Sequence, residues 1–188
     1  MQLSNKITPS LLELTAVSNY SNTAVVKHYA GMNLTRAVNA RTNSLGILSK
    51  REGGEALVKR CVCNMFIGTS MYFAKVLPEL QANVIAEELL ANYEYRQLKL
   101  EDILAICYEI KEADTLNLTP ARILKHVKDY AKRRELAIVS QSISQSETQK
   151  HANFSTNYDE RVKNTIRHIE RSNEEIVRTR STSRKFYK

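Results

Sequence analysis

Residues 118–135 read LTPARILKHVKDYAKRRE, and this stretch predicts the helix that completes the core. Thr119 can cap a helix with its hydroxyl, and Pro120 suits the first helical position, where its missing N–H costs nothing. At 100° per residue, one stripe carries the apolar side chains of Ile123, Val127, Tyr130, Ala131 and Ile138, with Leu124 at its margin. The opposite side carries Arg122, Lys125, Lys128, Lys132 and Arg133, and only Asp129 interrupts this basic face. The stretch therefore predicts an amphipathic helix with a buried apolar face and a basic outer face.

Three upstream segments show the same helical spacing. The first begins at Glu55 and reads as the most buried helix, through Leu57, Val58, Cys61, Val62, Met65, Phe66, Thr69 and Phe73. The second follows Pro78 and groups Leu77, Leu80, Val84, Ile85 and Leu89. The third groups Leu100, Ile103, Leu104, Cys107 and Ile110, with acids in its first turn, where the helix dipole favours them. Because no stretch alternates with period two, we predict an all-α fold with more than half of the chain helical.

Weaker patterns flank this core on both sides. Residues 1–54 predict short N-terminal helices, one starting at Thr8-Pro9, one ending at Gly31 and one over 33–48, before a break at Gly53-Gly54. Residues 55–139 are the predicted helical core. Residues 140–157, SQSISQSETQKHANFSTN, have few apolar groups to repay ordering and predict a polar linker. Residues 158–188 predict a basic C-terminal helix and a flexible tail.

The C-terminal helix carries an apolar seam whose residues are four, three, four and three apart: Val162, Ile166, Ile169, Asn173 and Ile176. This spacing is that of a coiled coil, in which the lone Asn173 would fix a parallel homodimer. The seam lasts little more than two heptads, so a single helix that docks on the body or folds on a partner fits equally well. We predict these five residues as a partner-binding surface.

The charge of the chain is segregated to its ends. The net charge is +8 with a pI of about 9.4, whereas residues 61–120 carry only four Lys or Arg against nine acids. Such a distribution favours an anionic partner, either nucleic acid or an acidic protein surface. The candidate phosphate contacts are Lys125, Lys128, Lys132, Arg133, Arg178, Arg180, Arg184 and Lys185. A solvated outer face and a tail kept for solubility are the alternative interpretations.

Catalytic and metal-binding patterns are missing from the sequence. Neither a phosphate-binding G-x-x-x-x-G-K-[ST] nor a G-x-G-x-x-G occurs, and the four histidines are scattered. The acid pairs Glu87-Glu88 and Glu101-Asp102 have the spacing of solvated helix faces. We therefore expect a protein that is not an enzyme and that has no cofactor and no metal site.

The cysteines and the N-terminus indicate the compartment. Cys61 and Cys63 would point about 200° apart on a helix, so we expect both, and Cys107, to be buried small hydrophobes. No signal-like apolar core follows Met1, and a reducing cytoplasm suits free thiols. Residues 61–74 are too short and too polar to span a bilayer, which predicts no membrane segment.

The segments IAEELLANYEYRQLKLEDI (85–103) and ILKHVKDYAKRRE (123–135) resemble small helical proteins encoded by bacterial phages and mobile elements. The resemblance covers about 55–139 and rests mostly on core positions: Ile85, Leu89, Tyr93, Leu98, Leu100, Asp102, Ile123, Val127, Tyr130 and Arg134. It departs at EADTLNLTP (112–120), where the family would have a glycine turn. The resemblance implies an accessory role in replication, such as helicase loading.

We therefore expect a non-enzymatic accessory protein of DNA transactions in a phage or mobile element. It would bind DNA through the basic helix and tail. The alternative is a structural or assembly protein that uses its C-terminal helix for self-association or partner docking. A third hypothesis is an adaptor or inhibitor that binds an acidic host protein, and the same sequence features support it.

Overall fold

The computed structural model describes residues 9–17, 22–51, 53–113 and 116–183, with the backbone alone at 149–160 and 172–183. The described helices alone cover more than half of the chain, and no strand occurs among the described residues, which confirms the all-α prediction. The described helices are α1 (Leu11–Thr15), α2 (Asn22–Tyr29), α3 (Leu34–Asn39), α4 (Leu45–Ser49), α5 (Gly54–Ser70), α6 (Glu79–Ala91), α7 (Tyr93–Arg96), α8 (Leu100–Glu112) and α9 (Pro120–Ser183).

The central helix is α5, as its apolar spacing predicts. It packs against α1, α4, α6 and α8, and its inward residues Val58, Cys61, Val62, Met65 and Phe66 are almost completely buried. The helix ends at Ser70, before Phe73, because the chain turns there. The Ser70 hydroxyl donates to the carbonyl of Ile67 at 2.7 Å and accepts from the amide of Leu77 at 2.9 Å. This turn brings the chain back into α6.

The four short N-terminal helices pack onto the core. Two of them replace the single helix that we predicted over 33–48, because the residues between α3 and α4 leave helical geometry. Gly31 has a φ of 67° and follows α2, which confirms the predicted helix stop. Met1–Ile138 form one compact unit. The segment predicted separately as 1–54 therefore belongs to the same unit as the core.

Lys99 fastens α3 to the start of α8. Its ammonium group donates to the carbonyl oxygens of Val38 at 3.0 Å and Ala40 at 2.6 Å. These carbonyls lie at the C-terminal end of α3, where the last turn leaves acceptors without intrahelical partners. The contact joins residues about 60 positions apart and satisfies acceptors that the short helix cannot satisfy itself.

The outward face of α6 differs from the prediction. Ile85, Leu89 and the preceding Leu77 are buried as expected, but Leu80 is 77% exposed and Val84 is 53% exposed. All five residues fit one broad apolar stripe in sequence. The helix turns only one edge of that stripe toward α5, so Leu80 and Val84 lie on the solvent side.

The second unit comprises Val139–Lys188, and the predicted boundary after Val139 lies within one residue of this division. Residues 140–157, predicted as a linker without regular structure, lie inside α9. The described side chains of 140–148 are all exposed, so this stretch is helical without a core of its own. None of the described helices combines the length with the apolar composition that a membrane-spanning segment requires.

Candidate nucleic-acid interface

The start of α9 is built as its sequence predicts. The Thr119 carbonyl accepts from the amide of Ile123 at 3.1 Å, and the Thr119 hydroxyl lies 3.4 Å from the amide of Arg122. The Arg122 guanidinium donates to the carbonyl of Asn117 at 2.9 Å, which ties the helix to the preceding loop. The amides of Arg122 and Ile123 therefore have partners, and Pro120 has no amide hydrogen to satisfy.

The first turns of α9 separate apolar from basic side chains. Ile123, Val127 and Tyr130 are completely buried, with Leu124 and Ala131 packed against the same core. On the far side, three lysines are exposed: Lys125, Lys128 and Lys132. We call these three residues the lysine face. Their spacing places their Cα atoms within about 10 Å along the helix axis.

A buried carboxylate fixes how α9 is rotated on α8. Asp102 is completely buried and accepts from the Tyr130 hydroxyl and from the Arg134 guanidinium, each at 2.9 Å. Its third donor is the backbone amide of Lys99 at 2.8 Å, so the same side chain also caps α8. Because Tyr130 and Arg134 lie one turn apart on the inner side of α9, the lysine face is held outward.

The Tyr130 phenol is protonated, as its hydrogen bond to the Asp102 carboxylate requires. Burial, followed by the negative charge of Asp102, raises the pKa of Tyr130 well above its ordinary value of 10.0. The phenol therefore stays a hydrogen-bond donor throughout the physiological range. A buried carboxylate with three donors is stable where an unpaired one would be costly.

The acid pair at the start of α8 corrects one prediction. We predicted Glu101 and Asp102 on a solvated face, but Glu101 is only 4% exposed and Asp102 is completely buried. Glu101 accepts from the Thr42 hydroxyl at 2.7 Å, and Asp102 is held as described. The sequence signal for this burial was Arg134, a charged residue on the apolar side of the predicted helix.

Arg133 is held differently from the lysines. Its guanidinium pairs with the carboxylate of Glu109 on α8, and its centre lies 5.7 Å from the centroid of the Tyr130 ring. Its side chain is still 52% exposed. The predicted phosphate contact Arg133 therefore already has an intramolecular anion, whereas the lysine face has no ion pair among the described residues.

The C-terminal candidates belong to the second unit. Arg178 and Arg180 lie within α9, but their side chains are outside the described ones, and Arg184 and Lys185 lie outside the described residues. Of the predicted partner-binding seam, Val162, Ile166 and Ile169 are 39%, 50% and 56% exposed. Asn173 and Ile176 are described only through their backbone.

The thiols and the metal-ligand types show no reactive arrangement in the described part of the chain. Cys61, Cys63 and Cys107 are free and buried, and burial raises the pKa values of Cys63 and Cys107 to about 11. The Cys63 thiol donates to the Asn83 side-chain oxygen at 3.0 Å. Among the described residues, no three His, Cys, Asp or Glu side chains come together as metal ligands.

No known protein family, curated protein or solved structure matches this chain.

Proposed function

We propose that this protein binds DNA without catalysing a reaction, and that the lysine face is the principal phosphate-binding surface. One observation carries the proposal. Lys125, Lys128 and Lys132 are exposed on one side of the first turns of α9, whose opposite side carries the completely buried Ile123, Val127 and Tyr130. Within the described residues, none of the three has a carboxylate partner, so their charges can be neutralised by an external anion.

The rigidity of the surface supports this proposal. A phosphate-binding side chain contributes more when its backbone is already fixed, because less freedom is lost on binding. The contacts of Asp102 with Tyr130 and Arg134 supply that fixation. The three lysines provide affinity through counterion release, and they carry no base-reading geometry of their own.

The salt dependence of binding tests the proposal quantitatively. If each lysine neutralises one phosphate of a duplex, log affinity should fall against log salt with a slope of about −2.7. Between 50 and 200 mM salt this corresponds to an affinity loss of about 40-fold. Anisotropy of a labelled oligonucleotide measures both values.

Two variants that each remove three positive charges distinguish DNA binding at the lysine face from binding through the overall positive charge of the protein. Lys125→Gln/Lys128→Gln/Lys132→Gln removes three positive charges from the lysine face, and Lys27→Gln/Arg60→Gln/Lys75→Gln removes three from exposed positions elsewhere in the same unit. We expect the first variant to lose most of the salt-dependent binding and the second to retain it. Equal loss in both variants, or no wild-type binding at low salt, would contradict the proposal.

The proposal includes a biological role, which is that of an accessory protein in the replication of a phage or mobile element. The resemblance to small phage and mobile-element proteins favours an accessory role in replication, of the helicase-loading type. The DNA-binding experiment addresses the activity, and copurification with a replicative helicase would address the role.

A second candidate function is supported by a separate observation. Val162, Ile166 and Ile169 are exposed in the single chain although they follow coiled-coil spacing. An exposed apolar seam of this kind suits self-association or docking of a partner helix. Sedimentation equilibrium of the full chain distinguishes a monomer from an assembled state.

A further inference from the structure

A shallow depression of about 230 Å³ opens between α4 and α7, and none of the described residues that line it belongs to the lysine face. Its walls include the aromatic ring of Tyr93, the apolar side chain of Ile47 and two cations, Lys50 and Arg96. Tyr93 is 77% exposed and Ile47 is 53% exposed. No carboxylate is among the described residues that line it.

The walls of the depression are fixed by the backbone. The amide of Leu45 donates to the carbonyl of Leu98 at 2.7 Å, which anchors α4 beside the start of α8. Gly46 lies against α7, since a Cβ atom there would be 3.2 Å from the Arg96 carbonyl oxygen. The missing side chain lets the two short helices approach closely and leaves the depression open above them.

The exposure of Tyr93 follows from the way α7 is seated. The side chain of Asn92 caps the helix by accepting from the amide of Glu94 at 3.0 Å. Tyr95 is 8% exposed and belongs to the core. Two residues correspond to about 200° of helix rotation, so burial of Tyr95 turns Tyr93 to the solvent side.

This combination of side chains matches a ligand with flat apolar faces and negative charges. An exposed tyrosine ring offers a stacking surface for a base, and Ile47 extends the apolar floor beside it. Lys50 and Arg96 can neutralise the flanking phosphates. A base in a duplex keeps both faces stacked on its neighbours, so only an unpaired strand presents a free face.

We propose that the α4–α7 depression binds single-stranded nucleic acid, with one base stacked on Tyr93 and adjacent phosphates at Lys50 and Arg96. This inference rests on the proposed function in assuming a nucleic-acid ligand, and it adds a preference for single strands. A single strand would be bound by base stacking here, while the lysine face binds phosphates of either form.

The lack of tryptophan in the chain makes a direct test available. Tyr93→Trp keeps an aromatic surface and introduces the only indole in the chain. Leu80→Trp is the matched control, because Leu80 is also 77% exposed but does not line the depression. Each full-length variant is titrated with an oligothymidylate and with a duplex of the same length, and indole fluorescence is recorded beside anisotropy of the labelled nucleic acid.

We expect saturable quenching of the Tyr93→Trp indole by the single strand, with little change for the duplex or for the Leu80→Trp control. Tyr93→Ala should weaken single-strand binding by about 5-fold to 150-fold, the range for one stacked base, and leave duplex binding unchanged. Lys50→Gln should weaken single-strand binding, whereas Lys75→Gln should not.

The outcomes distinguish this inference from the proposed function. Single-strand binding with no quenching at position 93 and no effect of Tyr93→Ala would overturn the depression as a base site and leave the lysine face intact. Quenching that persists in a Lys125→Gln/Lys128→Gln/Lys132→Gln background, with unchanged affinity, would support the depression and overturn the lysine face. No binding of either nucleic acid would overturn both.

Discussion

Tyr130 and Asp102 are joined by a buried hydrogen bond of 2.9 Å that links α9 to α8. Both side chains are completely buried, and the phenol is one of three donors to the carboxylate. The bond therefore couples the cap of one helix to the rotation of the other.

Tyr130→Phe removes this hydrogen bond and leaves the ring in place. We expect the free energy of unfolding to fall by about 1–3 kcal/mol, because a buried carboxylate loses a donor. Urea denaturation followed by circular dichroism measures the change. Tyr108→Phe is the control, since its hydroxyl is half-buried and lies 3.4 Å from its acceptor, and it should cost less. An equal loss of unfolding free energy in the two variants would contradict a stabilising hydrogen bond from Tyr130 to the buried Asp102.

Arg134→Met should destabilise the fold more strongly, by about 3–5 kcal/mol, because it leaves the buried charge of Asp102 without its cation. Asp102→Asn removes that charge, so the double variant should recover part of the loss. A double-mutant cycle in urea measures the coupling. Additive effects of the two changes would show that the pair is not coupled.

Alkaline pH should destabilise the protein through its buried thiols. Burial raises the pKa values of Cys63 and Cys107 to about 11, above the ordinary value of 9.0, so the folded state retains protons that the unfolded state releases. Their contribution is intact below pH 9 and is lost between pH 9 and 11. In urea titrations between pH 9 and 10, stability should fall less steeply in Cys63→Ala/Cys107→Ala than in the wild type. Identical slopes of unfolding free energy against pH in the two proteins would show that the thiols do not cause the alkaline destabilisation.

Gly53, which precedes α5, and Gly54, which is its first residue, should respond differently to alanine. Gly53 has a φ of 66° and open space around it, so Gly53→Ala should cost about 1–2 kcal/mol from backbone strain alone. At Gly54 a Cβ atom would overlap the backbone carbonyl of Leu48, so Gly54→Ala should cost more, about 3 kcal/mol. Thermal unfolding ranks the two variants, and the reverse order would contradict the close approach of α4 and α5.

Asn173→Leu tests the seam of the C-terminal helix. In a coiled coil the change should raise stability and relax the preference for two strands, because a lone polar residue in the seam fixes register. In a helix that does not self-associate, the mass in solution should stay unchanged. Sedimentation equilibrium of the wild type and of Asn173→Leu at tens of micromolar distinguishes the two cases. A monomer in both samples excludes the coiled coil.

The sequence predicts the first turns of α9 well because several local signals agree there, whereas the continuation of the helix through 140–157 was not predicted. The Thr119 cap, Pro120 and the apolar stripe from Ile123 to Tyr130 all favour the same helix in the same orientation. Exposure of the lysine face follows from that orientation. Pairing of Arg133 with Glu109 does not follow, because the two residues come together only when α8 and α9 pack.

Other features depend on contacts that are distant in sequence. Asp102 reads as a solvated first-turn acid until Tyr130 and Arg134, 28 and 32 residues later, are placed beside it. Leu80 and Val84 belong to an apolar stripe wider than the surface that α5 offers. The α4–α7 depression forms from two helices of five and four residues, too short for a periodic signal.

During synthesis, the ribosome adds Asp102 before it adds Tyr130 and Arg134, the two side chains of α9 that contact it. A nascent chain that ends before Arg134 contains α8 and its carboxylate but not the cation that compensates it. At 5–20 residues per second, the ribosome needs roughly 2–6 s to add the 32 residues between them. During that interval burial of α8 carries the cost of an unpaired charge, so α8 should stay hydrated and settle into the core only when α9 has emerged.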